Sequence, residues 1–267
     1  MSDRVRVEKK DGIADVRMVR ADKMNAVDMD MFMALVETGV ELSKDRSLRA
    51  VVLSGEGRAF CSGLDIPSIM ANTGKREGPS LMTKNDESPA NYAQRSAWVW
   101  QEVPVPVIAA VHGVAYGAGI QIALGADIRF VAPDARLSIR ESYWGLIPDV
   151  AGTQTLRHLV GLDVAKELTF TARVVSGTEA KELGLATHVS DDPRADAMKL
   201  AAEIAERSPS AVRAAKELWN NAVVGTHAEG LALEERLQKT LMGKPNQLEA
   251  VKANMEKRPA RFATLKH

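Results

Sequence analysis

The chain has 267 residues, of which 45% are hydrophobic and 26% charged, a composition typical of a globular protein with a substantial core. Lys plus Arg and Asp plus Glu each total 35, and this zero net charge argues against a general nucleic-acid binder. One cysteine excludes a disulfide framework, and the longest apolar run, six residues, is too short for a signal peptide or membrane span. We expect a cytoplasmic protein without membrane contact.

The N-terminal third predicts strands on either side of a helix. Residues 5–8 and 13–19 alternate around the turn pair Asp11-Gly12, which predicts a β-hairpin. Apolar residues recur at helical spacing from Asp28 to Leu42, and residues 50–55 predict a buried strand. Residues 72–91, rich in Gly, Pro and Asn, predict a mobile loop.

Further along the chain, a helix is expected to end near Gln101, followed by short strands at 107–111, 127–131 and 136–139. This alternation of strands and helices is typical of a mainly parallel sheet. Beyond residue 150 the pattern is almost purely helical, and the clearest helices are predicted at 193–207, 210–224 and 227–242. The sequence therefore predicts an α/β core over residues 1–195 and a helical region over 196–267.

Two glycine-rich segments each follow a predicted strand. The first, GEGRAFCSGLDI, covers residues 55–66, and the second, AVHGVAYGAGIQ, covers 110–121. Backbone N–H groups in two such turns, one at a helix N-terminus, could together stabilise an oxygen that gains negative charge. The second segment does not have the dinucleotide-binding spacing, and no nucleophile-elbow motif is present. The five histidines do not lie at metal-ligand spacing, so no metal site is predicted.

Four motifs in order along the chain resemble the crotonase (enoyl-CoA hydratase/isomerase) superfamily. They are KMNA at 23–26, AFCSGLDI at 59–66, AVHGVAYGAG at 110–119 and GLIPDVAGTQ at 145–154. The resemblance implies a crotonase-like fold of repeated ββα units. It also implies an acyl-CoA thioester as substrate, no metal or redox cofactor, and a homotrimer or homohexamer assembled partly through the C-terminal helices.

The resemblance also assigns roles to individual residues. The backbone N–H groups of Leu64 and Ala118 correspond to the family's oxyanion hole, which would hold the thioester oxygen of an acyl-CoA. The residues that the resemblance places along the substrate and coenzyme A are Lys23, Met24, Ala26, Ser62, Gly63, Asp65, Ile66, Gly117 and Gln121.

Three positions decide the chemistry of the predicted site. Hydratases of the family carry one Glu at the position of Gln121 and a second at Glu141, and a glutamine cannot accept a proton from water. The acidic residue Asp149 is similar to the dienoyl-CoA isomerase branch, although that branch has Asp where this chain has Gln121. We expect Glu141 and Asp149 to form a buried pair with at least one raised pKa, flanked by Tyr143, Trp144, Leu146 and Ile147.

Structural roles for both carboxylates remain open from the sequence alone. Glu141 could form a surface ion pair with Arg140, and Asp149 could cap a helix. The favoured hypothesis is double-bond isomerisation of an enoyl- or dienoyl-CoA by Glu141, with Asp149 as proton donor or relay or with Glu141 acting alone. The alternatives are hydration of a 2-enoyl-CoA, with Gln121 positioning water, and a non-catalytic acyl-CoA-binding subunit.

Overall fold

The computed structural model describes residues 3–72, 80–84 and 87–265, and within them nine strands form two sheets. In chain order the strands are β1 (Val5–Lys10), β2 (Ile13–Met18), β3 (Ala50–Gly55), β4 (Val107–Val111), β5 (Val114–Tyr116), β6 (Ile128–Val131), β7 (Arg136–Ser138), β8 (Val175–Ser176) and β9 (His188–Val189). The larger sheet has the order β1-β2-β3-β4-β6-β9, and the smaller has β5-β7-β8.

The larger sheet confirms the predicted hairpin and the mainly parallel pairing. β1 and β2 are antiparallel, whereas β2–β3, β3–β4, β4–β6 and β6–β9 are parallel. The hairpin turn has a positive φ at both Asp11 (52°) and Gly12 (78°). Asp-Gly is a preferred pair for such a turn, because both residues reach this backbone region more easily than others.

Both faces of the larger sheet are covered. In β3, Val51 and Leu53 pack into the main core beneath the helices that follow β2 and precede β4. The alternate residues Ala50 and Val52 pack on the opposite face with Ala197, from a helix late in the chain. Because successive side chains of a strand point to opposite faces, a strand covered on both sides reads as a continuous apolar run.

Eleven α-helices lie in the described residues. In chain order they are α1 (Met29–Lys44), α2 (Ile66–Asn72), α3 (Tyr92–Glu102), α4 (Ala118–Leu124), α5 (Gly152–Leu156), α6 (Leu162–Thr171), α7 (Gly177–Leu183), α8 (Pro193–Ala205), α9 (Pro209–Ala222), α10 (His227–Leu241) and α11 (Pro245–Met255). Short 3₁₀ helices occur at Ala21–Lys23 and Glu141–Trp144. None of the helices in the described ranges is long and apolar enough to cross a bilayer.

The region beyond residue 150 is less uniformly helical than its sequence pattern predicts. β8 and β9, each two residues long, add one strand to each sheet, and such short strands carry too little periodicity to be recognised. The boundary predicted at residue 195 falls inside α8, whose Ala197 and Ala201 belong to the packing of the larger sheet. The division of the chain into a core and a helical region stays a prediction.

Part of the predicted loop at 72–91 can be described. α2 ends at Asn72, and residues 73–79 and 85–86 lie outside the described residues. Lys84 forms an isolated antiparallel bridge with Asn91. Asn91 also begins α3 with a capping box, in which its side chain and that of Gln94 each accept a hydrogen bond from the other's backbone N–H. The second end of the loop is thus anchored to α3.

The first of the three C-terminal helices, α9, is attached to the core through a buried cation. Lys216 of α9 donates from Nζ to the carbonyl oxygens of Trp100 (2.8 Å) and Val105 (3.1 Å) and to Oδ2 of Asp127 (2.7 Å). Burial lowers the pKa of Lys216, and the charge and hydrogen bond of Asp127 oppose that shift. The three C-terminal helices carry large exposed apolar side chains, which include Trp219, Leu231, Met242, Leu248 and Met255.

Candidate active site

The first glycine-rich turn lies directly against the second. Gly63 has φ +95°, and a Cβ atom there would lie 2.8 Å from the carbonyl oxygen of Tyr116 and 3.9 Å from Cα of Gly117. Cys61 holds the two segments in register, because its N–H donates to Val114 O (3.0 Å) and its carbonyl accepts from Tyr116 N–H (3.1 Å). A side chain at Gly63 would force the two turns apart.

The second turn opens α4 and faces a carboxylate. Gly117 has φ +53°, and a Cβ built there would lie 3.3 Å from Oε1 of Glu141. Two residues later, a Cβ at Gly119 would lie 2.4 Å from the carbonyl oxygen of Cys61. The glycines therefore permit a close approach of three segments: the first turn, the start of α4 and the 3₁₀ helix at Glu141–Trp144.

The N–H groups of Leu64 and Ala118 have no acceptor among the described residues. Leu64 pairs with Val27 in a parallel bridge, whose hydrogen bonds run from Val27 N–H to Gly63 O (2.8 Å) and from Asp65 N–H to Val27 O (3.0 Å). This pattern uses the neighbours of Leu64 and leaves its own N–H free. Ala118 is the first residue of α4, where an N–H has no partner within the helix. The geometry thus leaves two donors at the junction of the turns.

The residues predicted to line coenzyme A also lie together. Ser62 donates from its N–H to Met24 O (3.0 Å) and from Oγ to Lys23 O (3.4 Å), which places the 23–26 segment beside the first turn. Lys23 is exposed, whereas Ala26 is buried and Ile66 half-buried. The carboxylate of Asp65 is already engaged, since it binds Arg20 at 2.7 Å and caps α2. Asp65 can therefore hold the turn in place, but its side chain is not a free ligand.

Glu141 lies at the floor of the site. It begins the 3₁₀ helix that follows β7, and its side chain is buried, with 7% of the residue surface exposed. Its Oε1 accepts a hydrogen bond from Nε2 of Gln121 at 2.5 Å, and its Oε2 is buried without a partner in the described structure. Glu141 is thus not the surface ion pair with Arg140 that the sequence left open.

Burial raises the pKa of Glu141, and the negative charge of Asp149 acts in the same direction. Hydrogen bonds from Gln121 and from the local backbone oppose this shift by stabilising the ionised form. The result is a carboxylate with increased proton affinity beside two free N–H donors. A general base benefits from such tuning, because it must accept a proton and later return it.

Asp149 lies at the rim of the site, and the expectation of a buried pair was wrong for it. Its side chain is exposed, as are Tyr143, Trp144, Leu146 and Ile147, which were expected to flank the pair. The 3₁₀ helix and the following turn run along the surface of the chain, and this explains the difference. Asp149 is not a helix cap either, since α5 begins three residues later, after Ala151.

A cavity of about 520 Å³ lies between α4, the loop that carries Asp149, and α6. Gln121 and Asp149 line it near Glu141, and its buried apolar surface comes from Leu124, Leu156 and Ala165. A cavity of this size and lining suits an acyl chain. Arg157 and Lys166 add positive charge to its exposed edge.

Two arginines contribute to the site in ways that the motifs did not reveal. Arg20 links Asp65 to the carbonyl oxygen of Ala26 (2.9 Å), and it thereby connects the two segments that flank Leu64. Arg140 stacks against the rings of Tyr116 (5.0 Å) and Tyr143 (4.8 Å) instead of pairing with Glu141. In the ranges that the structure describes, no group of His, Cys, Asp and Glu side chains could hold a metal ion.

Comparisons with known proteins agree on one family. The family model for enoyl-CoA hydratase/isomerase matches residues 8–264. The chain is 32% identical to the mitochondrial methylglutaconyl-CoA hydratase of Mus musculus, over 96% of this chain and 81% of that protein. It is also 32% identical to the mitochondrial Delta(3,5)-Delta(2,4)-dienoyl-CoA isomerase of Mus musculus, over 94% and 79%.

A solved structure of an enoyl-CoA hydratase has a similar fold. The enoyl-CoA hydratase of Bacillus anthracis has a TM-score of 0.87 and 28% identity, over 98% of this chain and all (100%) of that one. These matches span the described core, both glycine-rich turns and the C-terminal helices. The relatives include both hydratases and an isomerase, so the similarity alone does not select between the two reactions.

Proposed function

The chain belongs to the enoyl-CoA hydratase/isomerase family, and from that premise we propose that it moves a double bond within an enoyl- or dienoyl-CoA. The observation that carries this proposal is that the residues at positions 121 and 141 differ in their ability to accept a proton. Glu141 is a buried carboxylate, whereas Gln121 cannot accept a proton. A reaction that needs one base to remove and return a proton suits this arrangement better than one that needs two carboxylates.

The proposed mechanism begins with the thioester oxygen held by the N–H groups of Leu64 and Ala118. Glu141 removes a proton from the acyl chain, and the electron pair of the broken C–H bond moves into the conjugated system and onto that oxygen. When the proton is returned to a different carbon, the double bond has shifted and Glu141 is ionised again. By analogy with other oxyanion holes, each N–H donor contributes about 10²- to 10³-fold in rate.

Asp149 is proposed as a relay at the second carbon. Its charge acts on Glu141, and both Asp149 and Gln121 line the cavity proposed for the acyl chain. In this route Asp149 delivers a proton to the far end of a conjugated dienoyl group and takes up another from water, while Glu141 releases the proton that it removed. We propose that Lys23, Met24, Ala26, Ser62 and Ile66 lie along coenzyme A, with no further cofactor.

Hydration of a 2-enoyl-CoA is the second candidate, because one of the relatives is a methylglutaconyl-CoA hydratase. In that reaction Glu141 would activate water alone, since position 121 supplies an amide. The difference between the two reactions is measurable, because hydration removes the conjugated double bond whereas dienoyl isomerisation moves a double bond into conjugation with the thioester.

The test uses purified protein with a 2-enoyl-CoA and, separately, a 3,5-dienoyl-CoA, followed by the absorbance of the conjugated thioester. We expect rapid isomerisation of the dienoyl-CoA that Glu141→Gln reduces by about 10²- to 10⁴-fold and Asp149→Asn reduces less. Fast hydration that is insensitive to Asp149→Asn would contradict the isomerase proposal. A non-catalytic acyl-CoA-binding subunit would show neither reaction while still binding the thioester.

The assembly is a further part of this proposal. The family resemblance indicates a trimer or a hexamer, and the exposed apolar side chains on α9–α11, such as Trp219 (71% exposed) and Met255 (81%), would be buried by association. Sedimentation at several protein concentrations tests this, and a stable monomer at all of them would contradict it.

A further inference from the structure

We infer that Gln121 is a positioning residue whose side-chain amide holds the Glu141 carboxylate and the Asp149 loop in one arrangement. This inference rests on the proposed function, in which Glu141 is the base. It assigns a role to Gln121, which occupies the position where hydratases of the family have a Glu. The amide becomes a fixed part of the site and not a ligand for water.

The hydrogen bonds of Gln121 determine the orientation of its amide. Oε1 accepts from the N–H groups of Val150 and Gly152, each at 2.9 Å. Because a carbonyl oxygen must face these two donors, the NH₂ group must face Glu141, to whose Oε1 it donates at 2.5 Å. Gln121 is almost fully buried, with 1% exposed. Three of its hydrogen-bonding positions are therefore used by protein atoms.

This amide joins the three elements that build the site. Gln121 lies on α4, Glu141 on the 3₁₀ helix, Val150 on the loop directly after Asp149, and Gly152 at the start of α5. The packing around this amide is also tight, since a Cβ atom at Gly152 would lie 2.5 Å from Oε1 of Gln121. A displacement of Gln121 would consequently move both Glu141 and the loop that carries Asp149.

An amide and a carboxylate at this position differ in how they respond to pH. The amide donates to Glu141 at every pH. A carboxyl group donates only while it is protonated, and after ionisation it repels Glu141. The other charged groups near Glu141 are Asp149, whose charge acts on it, and Arg140, whose guanidinium stacks on Tyr116 and Tyr143.

Three variants test the inference by kcat, KM and the pH dependence of kcat/KM. In Gln121→Met the donor is lost, and we expect kcat to fall about 10- to 100-fold while KM changes less than about twofold. In Gln121→Glu we expect the ratio of variant to wild-type kcat/KM to fall at least about tenfold from about pH 6 to about pH 9, as the introduced carboxyl ionises. Gln101→Met is the matched control, because Gln101 donates to Gly125 O at 2.7 Å at the other end of α4.

A pH-independent ratio for Gln121→Glu, together with an unchanged kcat for Gln121→Met, would overturn the inference. If Gln121→Met does not fold, the pH dependence of Gln121→Glu decides alone. The comparison is made on whichever thioester reaction the wild type catalyses. A protein that hydrates and does not isomerise therefore contradicts the proposed function without affecting this test.

Discussion

The floor and the rim of the site hold the same functional group in opposite environments. Glu141, at the floor, is buried and hydrogen-bonded to Gln121. Asp149, at the rim, is exposed in a loop whose neighbouring Ile147 is 74% exposed. Burial increases proton affinity at the floor, and solvent access provides exchange with water at the rim. The difference indicates that burial and exposure, and not residue type, determine which carboxylate has increased proton affinity and which exchanges with water.

Among changes that keep a carboxylate at each position, shortening the one at the floor should have the largest effect. Glu141→Asp removes one methylene and withdraws both oxygens from Gln121 and from the first turn of α4. A displacement of about 1 Å in a catalytic group can cost about 10²-fold in rate, and we expect a loss of that order in kcat. Stopped-flow or steady-state kinetics on the active thioester measure it, and a loss below about threefold would show that the floor is not rigid.

The matched change at the rim should cost less. Asp149→Glu adds one methylene to an exposed side chain that has room to adjust, and we expect kcat to fall less than about tenfold. The same assay measures both variants. A loss at Asp149→Glu as large as that at Glu141→Asp would remove the distinction between floor and rim.

The smallest expected effect is on stability. Because burial raises the pKa of Glu141 in the folded state, its favourable contribution is fully present below the pKa of the unfolded chain and is lost as pH rises through the folded value. Glu141→Gln should therefore be more stable than the wild type near neutral pH and similar to it in acid. Urea unfolding at several pH values measures this free energy.

The control for stability is Asp149→Asn. Its side chain lies in water, and we expect a change within about 0.5 kcal/mol at every pH tested. If Glu141→Gln were destabilising near neutral pH, the ionised carboxylate would have to be a net stabilising group at the floor. The destabilising effect of burial expected for the ionised Glu141 would then be incorrect.

The parts of the fold that local patterns determine could be predicted from the sequence. The hairpin at Asp11-Gly12 and the helices α1, α8 and α9 follow from turn chemistry and apolar spacing within a short window. The strands β5, β8 and β9 could not be predicted, because strands of only two or three residues are stabilised by pairing with distant segments. The boundary near residue 195 stays a prediction, and it falls inside α8, which packs on strands of the larger sheet.

The site was predictable as a set of positions but not as a geometry. Motif order predicts Leu64, Ala118 and Glu141 as members of one site, and the structure places them at the two turns and the 3₁₀ helix beside them. The hydrogen bond from Gln121 to Glu141 was not predictable, because the orientation of that amide depends on two backbone N–H groups about 30 residues away. Exposure at Asp149 likewise depends on the path of the chain after the 3₁₀ helix.

The single cysteine has a practical consequence for studying this site. Cys61 is fully buried between the two glycine-rich turns, and burial raises the pKa of its thiol to about 12. A thiolate is the reactive form, so a thiol reagent can modify Cys61 only in molecules whose turns have separated. The labelling rate of Cys61 therefore measures how often the two turns, and with them the two N–H donors of the site, move apart.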